Sequence, residues 1–236
     1  MRKVLVIGAA GHVGRIVRPA LEAAYETRYL DRVPIDDAPD RSFVGDLEDE
    51  ALVERCVEGI DCVIYLAMGV NDEGRNNAID PAFNVNVRGV YRVGSIALAA
   101  GVQTFVYASS ISVFQAPRTH VIDETTPPTT HGLYGLTKYL GEQVLAALSR
   151  AHPGATLLAL RLYRPLSEQQ WASEDNQDRF EPKSLLGPAD TARLFVAGAA
   201  LTTPGYHLAQ ATGDVEGKRY PADRVRELLG WTPQGR

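Results

Sequence analysis

Only two cysteines, Cys56 and Cys62, occur in 236 residues. That number excludes a disulfide framework and is too small for a zinc ligand set. Both read as small buried hydrophobes. Basic residues are in the minority: 24 Lys and Arg against 29 Asp and Glu leave a net charge of −5. Such a chain has no electrostatic footprint for nucleic acid and no attraction to an anionic membrane surface. No apolar run approaches the roughly 20 residues of a membrane span. The run behind Arg2 and Lys3 lasts only about seven residues before a charged helix begins, too short for a secretory leader. A cytoplasmic protein with no nucleic-acid or membrane partner is expected. The chain is 45% hydrophobic, enough for a full core. That is simplest as one α/β domain with a small appendage.

The stretch Val4–Gly14, VLVIGAAGHVG, organises the rest. Val4–Ile7 reads as a short buried strand running into Gly8-x-x-Gly11-x-x-Gly14 and an amphipathic helix from His12 to Tyr25. A strand, glycine turn and helix in that order aim the helix N-terminus, with its unpaired N–H groups, at a phosphate. Gly8 suits the tight turn, Gly11 the close approach of backbone to a pyrophosphate, and Gly14 the packing of helix on strand. A second strand, Thr27–Leu30, ends at Asp31. An acid about 20 positions past the glycines is placed to bond a ribose 2′-hydroxyl and repel a 2′-phosphate. NAD is therefore expected over NADP, with the adjacent Arg32 softening the preference. Alone, Asp31 reads equally well as a solvated turn acid.

Further along, Ser42–Val44 reads as a third strand, followed by Gly45-Asp46-Leu47. Asp46 is also a candidate N-cap for a helix over Glu48–Glu58. Asp61–Ala67 is an unbroken apolar run, as expected of a strand buried on both faces. Its exit is Ala67-Met68-Gly69, followed by a polar loop over Asn71–Asn77. A long helix is expected over Pro81–Ala100, and a fifth strand over Thr104–Ala108 delivers Ser109, Ser110, Ile111 and Ser112. A loop containing Asp123, Glu124, Pro127 and Pro128 precedes Tyr134-Gly-Leu-Thr-Lys138-Tyr-Leu-Gly-Glu142. A sixth strand, Thr156–Leu160, leads to Arg161-Leu-Tyr163-Arg164-Pro165. Residues 167–183 are charged and aperiodic. A helix over Leu186–Leu201, beginning at a cap Asp190, and a short strand Tyr206–Ala209 follow.

The glycine spacing, the SSISVF run, YGLTKYLGE, LRLYRP and the closing RELLGWTP together resemble the extended short-chain dehydrogenase/reductase family, of the epimerase/dehydratase type. The likeness covers nearly the whole chain and is thinnest over 166–183. It implies an α/β Rossmann fold: a doubly wound, mainly parallel sheet. Residues 1–164 would bind the dinucleotide, and 165–236 would form a small substrate-binding part with elements returning to the sheet. It implies an NAD cleft formed by Gly8, Gly11, His12, Val13, Gly14, Asp31, Arg32, Asp46, Leu47, Leu66, Ala67, Met68, Asn86, Ala108, Tyr134, Lys138 and Tyr163. In that cleft Asp46 would contact adenine, Asn86 would hold position near the nicotinamide, and Tyr163 would pack beside the carboxamide. Asn86 also reads as a helix-surface amide. Gly69, Ser110, Ile111, Ser112 and Arg164 would face a sugar-like substrate. Arg164 stands where the family usually has asparagine.

By the same resemblance Ser110, Tyr134 and Lys138 are catalytic, with Ser109 the alternative serine if the register slips by one. Tyr134 and Lys138 lie four apart, on one helix face. A free phenol, with pKa about 10, is a poor base at neutral pH, but a nearby ammonium favours the phenolate. Tyr134 would then take a hydroxyl proton while hydride leaves the same carbon. The family's acidic pair for dehydration is replaced by Ile111 and Ser112, and Ile111 also departs from the asparagine of uronate dehydrogenases. The compact length fits a uronate or aldose dehydrogenase best. A nucleotide-sugar epimerase with tightly held NAD and a non-enzymatic dinucleotide sensor remain open. The resemblance also implies a homodimer, pairing the helices Pro81–Ala100 and Tyr134–Ser149. Val90, Val93, Ile96, Leu145 and Leu148 are its candidate apolar contacts.

Overall fold

Alternation along the buried strands builds two apolar layers. Val4 and Val6 face one layer, with Cys62 and Ile64 on the neighbouring strand. Leu5, Ile7, Val63 and Tyr65 face the other. The structure, a computed structural model, describes residues 1–69, 79–115, 120–173 and 184–235. The expected loop Asn71–Asn77 lies outside the described residues, as does most of the aperiodic segment.

The elements alternate strictly through the first half: β1 (Lys3–Ile7), α1 (His12–Ala24), β2 (Glu26–Asp31), β3 (Ser42–Val44), α2 (Glu50–Val57) and β4 (Cys62–Tyr65). Then come α3 (Ile79–Phe83), α4 (Val90–Ala99), β5 (Thr104–Ser110), α5 (Leu133–Ala151) and β6 (Thr156–Leu162). The chain closes with α6 (Glu168–Ala172), α7 (Pro188–Ala200), β7 (Gly205–Ala211) and α8 (Asp223–Leu229). The strands form one sheet in the order β3-β2-β1-β4-β5-β6-β7, and every pairing is parallel. The order reverses between β1 and β4, so a crevice opens at the carboxyl ends of those strands. Because β7 and α7 join the main sheet and its core, the last third of the chain is built onto the dinucleotide half. A smaller apolar cluster, including Ile111, Phe114, Ile122, Tyr163 and Tyr220, sits beside the crevice.

Several expected boundaries move, each for a local reason. The fourth strand is only Cys62–Tyr65, because beyond Leu66 the chain must pass against the backbone of Gly8. The fifth and sixth strands run two residues further than expected, paired as far as Ser110 and Leu162. Asp49, not Asp46, caps α2, accepting the Leu52 N–H at 3.0 Å. Asp46 bonds the Glu48 N–H in the turn before it. Gly187, not Asp190, is the N-cap of α7, with Pro188 opening the helix; proline's fixed φ suits the first helical position. Asp190 lies in the first turn, where its carboxylate accepts the Gln234 and Gly235 N–H groups. The long helix is interrupted by a π-helical turn, Asn84–Gly89, between α3 and α4. Such turns concentrate at functional sites.

The two cysteines lie in different layers, Cys62 with Val4 and Cys56 with Leu5, both free and buried. Burial pushes their thiols up, to about 11 for Cys56 and about 12 for Cys62, which keeps both protonated and inert. Among the described residues no helix is long and apolar enough to cross a membrane.

Candidate active site

The glycine turn forms one wall of the crevice. Gly8 adopts φ +82°, and a Cβ there would meet the Ala67 backbone nitrogen at 2.5 Å; only glycine allows both the turn and this contact with the next strand. Gly14 packs on the Ala9 backbone, as its helix-packing task requires. Gly11 precedes α1, and no side chain caps the helix. Its first N–H groups therefore have no side-chain acceptor, an arrangement suited to a pyrophosphate. Asp31, at the end of β2, is tied to this turn: one carboxylate oxygen accepts the Ala10 N–H at 2.9 Å and the other the Val33 N–H at 3.3 Å.

The cleft that begins here has a volume of about 880 Å³ and runs to Tyr134 and Arg164. Its wall brings together Gly8, Gly11, His12, Val13, Asp31, Arg32, Asp46, Leu47, Leu66, Ala67, Met68, Ala108, Tyr134, Lys138 and Tyr163, with Ser110, Ile111, Ser112 and Arg164 at the far end. Three expected residues lie outside that wall. Gly14 is turned onto Ala9. Gly69 packs against the backbone of Pro81 and Ala82. Asn86 is not a surface amide but fully buried. Its side chain accepts the Gly69 N–H at 3.0 Å and donates to Thr137 Oγ at 2.9 Å, tying the exit of β4 to the helix that carries Tyr134.

At the far end β5 delivers two serines with different partners. Ser110 bonds the Tyr134 phenol and caps the turn Ile111–Val113 through the Ser112 N–H at 3.1 Å. Ser109 donates to Glu142 Oε1 at 2.6 Å instead, so the geometry selects Ser110 as the serine beside the tyrosine. Gly135 lets α5 press on this turn, since a Cβ there would run into the Ser112 carbonyl. Lys138 is buried and donates to the Ala108 carbonyl at 2.8 Å, with Nζ 5.8 Å from the Tyr134 ring centre. Burial pushes the Lys138 ammonium down to about 7, while Glu142 pulls the other way. Burial likewise holds the Tyr134 phenol above its ordinary value, partly offset by the Ser110 hydrogen bond. Desolvation thus outweighs the expected lysine effect on the phenol in the protein alone. A cation beside the phenol would act in the opposite direction.

Sequence reasoning quoted Glu142 in its motif without assigning it a task. It is half of a buried pair with Arg161, and a charged residue inside the otherwise apolar strand 156–162 was the available clue. The bond from His12 Nε2 to the Pro165 carbonyl, 2.8 Å across the cleft, has no counterpart in local sequence pattern. Nor does the presence of Val33, Val85 and Gln170 in the wall.

A parallel sheet of this order, an uncapped helix behind a glycine turn, and an acid at the end of β2 define a Rossmann-type dinucleotide-binding protein. Residues 4–187 match the NAD dependent epimerase/dehydratase family, and the chain belongs to that family. The NAD-dependent glucose-6-phosphate dehydrogenase of Haloferax volcanii is 28% identical over 98% of this chain and 92% of its own length. The L-arabinose 1-dehydrogenase (NAD(P)(+)) of the same organism is 29% identical over 99% of this chain and 97% of its own. Among solved structures, a glucuronic acid dehydrogenase from Chromohalobacter salexigens has a TM-score of 0.76 at 29% identity, covering 99% of this chain and 84% of that one.

Proposed function

We propose that this protein is an NAD-dependent dehydrogenase that oxidises a hydroxyl-bearing carbon of a sugar or sugar acid. The observation that carries the reading is the convergence of Ser110, Tyr134 and Lys138 at one end of a cleft whose other end holds Gly11 and Asp31. The uncapped α1 N-terminus would hold the pyrophosphate, Asp31 the adenosine ribose, and Lys138 the nicotinamide ribose. Bound NAD supplies the hydride acceptor. Tyr134 takes the hydroxyl proton, so the C–H and O–H bonds of the substrate become one C=O. Ser110 bonds the reacting oxygen and keeps it in line with the phenol. Asn86 positions α5 and the β4 exit without touching the cleft.

The test is incubation with NAD and a panel of aldoses, sugar acids and sugar phosphates, followed by NADH absorbance. Accumulating NADH supports the dehydrogenase. NAD retained through purification, with a sugar inverted and no net NADH, would make the protein an epimerase. Binding of NAD without turnover of any sugar would favour the sensor.

A cytoplasmic homodimer completes the reading. Four of the five apolar residues first assigned to the dimer face, Val90, Val93, Leu145 and Leu148, are already buried in the protein's own core. They therefore need no second copy to cover them. The support that remains is Tyr91, 58% exposed on α4, and Leu136, 38% exposed on α5. A monomer by light scattering at micromolar concentration would remove the dimer.

A further inference from the structure

Among the described residues, Arg164 is the one non-glycine residue with a positive φ, +39°. A side chain makes the left-handed region unfavourable, and the following Pro165 independently biases Arg164 towards extended backbone. The surroundings enforce the conformation. Tyr163 donates its N–H to the Ala211 carbonyl at 3.0 Å and accepts the Leu186 N–H at 3.1 Å, while Leu166 donates to the Leu186 carbonyl at 2.9 Å. His12 bonds the Pro165 carbonyl from across the cleft. Held in this way, Arg164 is exposed in the cleft wall, one residue beyond Tyr163 and at the same end as Ser110 and Tyr134. Strain that neighbours over-determine beside a reactive group points to a task for the side chain.

The distribution of charge narrows that task. The carboxylates in the described cleft wall, Asp31 and Asp46, belong to the glycine-turn end. The reactive end carries no described carboxylate, and its other cation, Lys138, is buried with Nζ on the Ala108 carbonyl. We propose that Arg164 is a specificity-determining residue that reads an anionic group, carboxylate or phosphate, carried by the sugar substrate. A guanidinium offers a planar fork of donors matched to either group. This inference deepens the dehydrogenase reading and rests on it for the identity of the reacting carbon.

The experiment compares the NAD-loaded protein with Arg164→Asn and Arg164→Lys. Asparagine tolerates left-handed backbone, so the first variant keeps the turn and loses only the guanidinium. The probes are a hexuronate, a hexose phosphate and the parent neutral hexose, each read by NADH formation and by the shift in melting temperature it produces. The ratio of kcat/KM for charged over neutral sugar should fall about 10- to 100-fold in Arg164→Asn, through KM, as loss of charge-assisted hydrogen bonds predicts. Arg164→Lys should recover part of it. Whichever of hexuronate and hexose phosphate responds identifies the anion. An unchanged ratio, or an equal loss for the neutral sugar, would overturn the inference. If no sugar yields NADH, the dehydrogenase reading fails while the melting shift still decides this one. Stabilisation by a charged sugar that Arg164→Asn abolishes supports it, and the absence of any such shift overturns it.

Discussion

Arg161 and Glu142 meet through two hydrogen bonds, Nε to Oε1 at 2.9 Å and Nη2 to Oε2 at 2.8 Å, with side chains only 2% and 1% exposed. Because Glu142 also accepts Ser109, the pair ties α5 and β6 to β5 one residue before Ser110. A buried ion pair adds little net stability over an apolar pair of similar volume, but losing one partner strands the other charge. Glu142→Gln keeps the shape and removes the charge. It should cost about 3–5 kcal/mol, measured by denaturant unfolding. Glu142→Leu combined with Arg161→Met should recover most of that loss. A cost below about 1 kcal/mol for Glu142→Gln would mean that Arg161 is not left uncompensated.

The proton-transfer assignment is tested by a series rather than by one variant. Tyr134→Phe should bind NAD almost normally and lose about 10²–10⁴ in turnover, the usual worth of general acid–base catalysis. Ser110→Ala should lose less, through alignment of the reacting oxygen. Ser109→Ala should lose least in turnover, because its hydroxyl belongs to Glu142, and should appear in stability instead. Unchanged turnover in Tyr134→Phe would leave Tyr134 and Lys138 as two residues sharing a helix face and nothing more.

Much of this was legible because the pattern is local. Buried strands such as Cys62–Tyr65 are unbroken apolar runs, and the glycine turn carries its own geometric requirements at Gly8 and Gly14. What escaped depends on contacts across the fold. Asp46 and Asp49 are both good caps in isolation, and only the folded turn decides which one reaches the helix. Val90 and Leu145 look like interface residues on a helix wheel, yet the sheet behind them already covers both. The bond between His12 and Pro165 joins positions 153 apart in sequence, beyond the reach of any periodicity. Tyr134 was expected to feel Lys138 first, whereas burial dominates both groups.

Asp31 sets a third test, in cofactor choice. Its carboxylate sits on the glycine turn, where it would bond a 2′-hydroxyl and repel a 2′-phosphate. NAD should bind more tightly than NADP, and Asp31→Ala should narrow the gap, both by weakening NAD and by admitting NADP beside Arg32. The measurement is a pair of dissociation constants for each protein. Equal constants in the unmodified protein would refute the assignment.

Lys138 gives a prediction with a definite sign. Its ammonium falls from 10.5 to about 7 in the fold, chiefly through burial. Below about pH 7 both folded and unfolded chains hold the proton, and the burial penalty is fully present. Between about 7 and 10.5 the unfolded chain still holds a proton that the fold has released, so raising the pH favours the fold. Above that window both are neutral and the penalty is gone. Lys138→Met has no such group, so wild type should gain on it by up to about 1.4 kcal/mol per pH unit across the window. The variant also leaves the Ala108 carbonyl without its donor, a constant offset that does not alter the slope. Cys56 and Cys62 titrate in the same range, but both proteins carry them and the difference cancels. Urea unfolding of both NAD-free proteins at several values from pH 7 to 10 reads the slope directly. Parallel stability curves would mean that Lys138 keeps its ordinary pKa, and that the interior beside Tyr134 is wetter or more strongly charged than its burial implies.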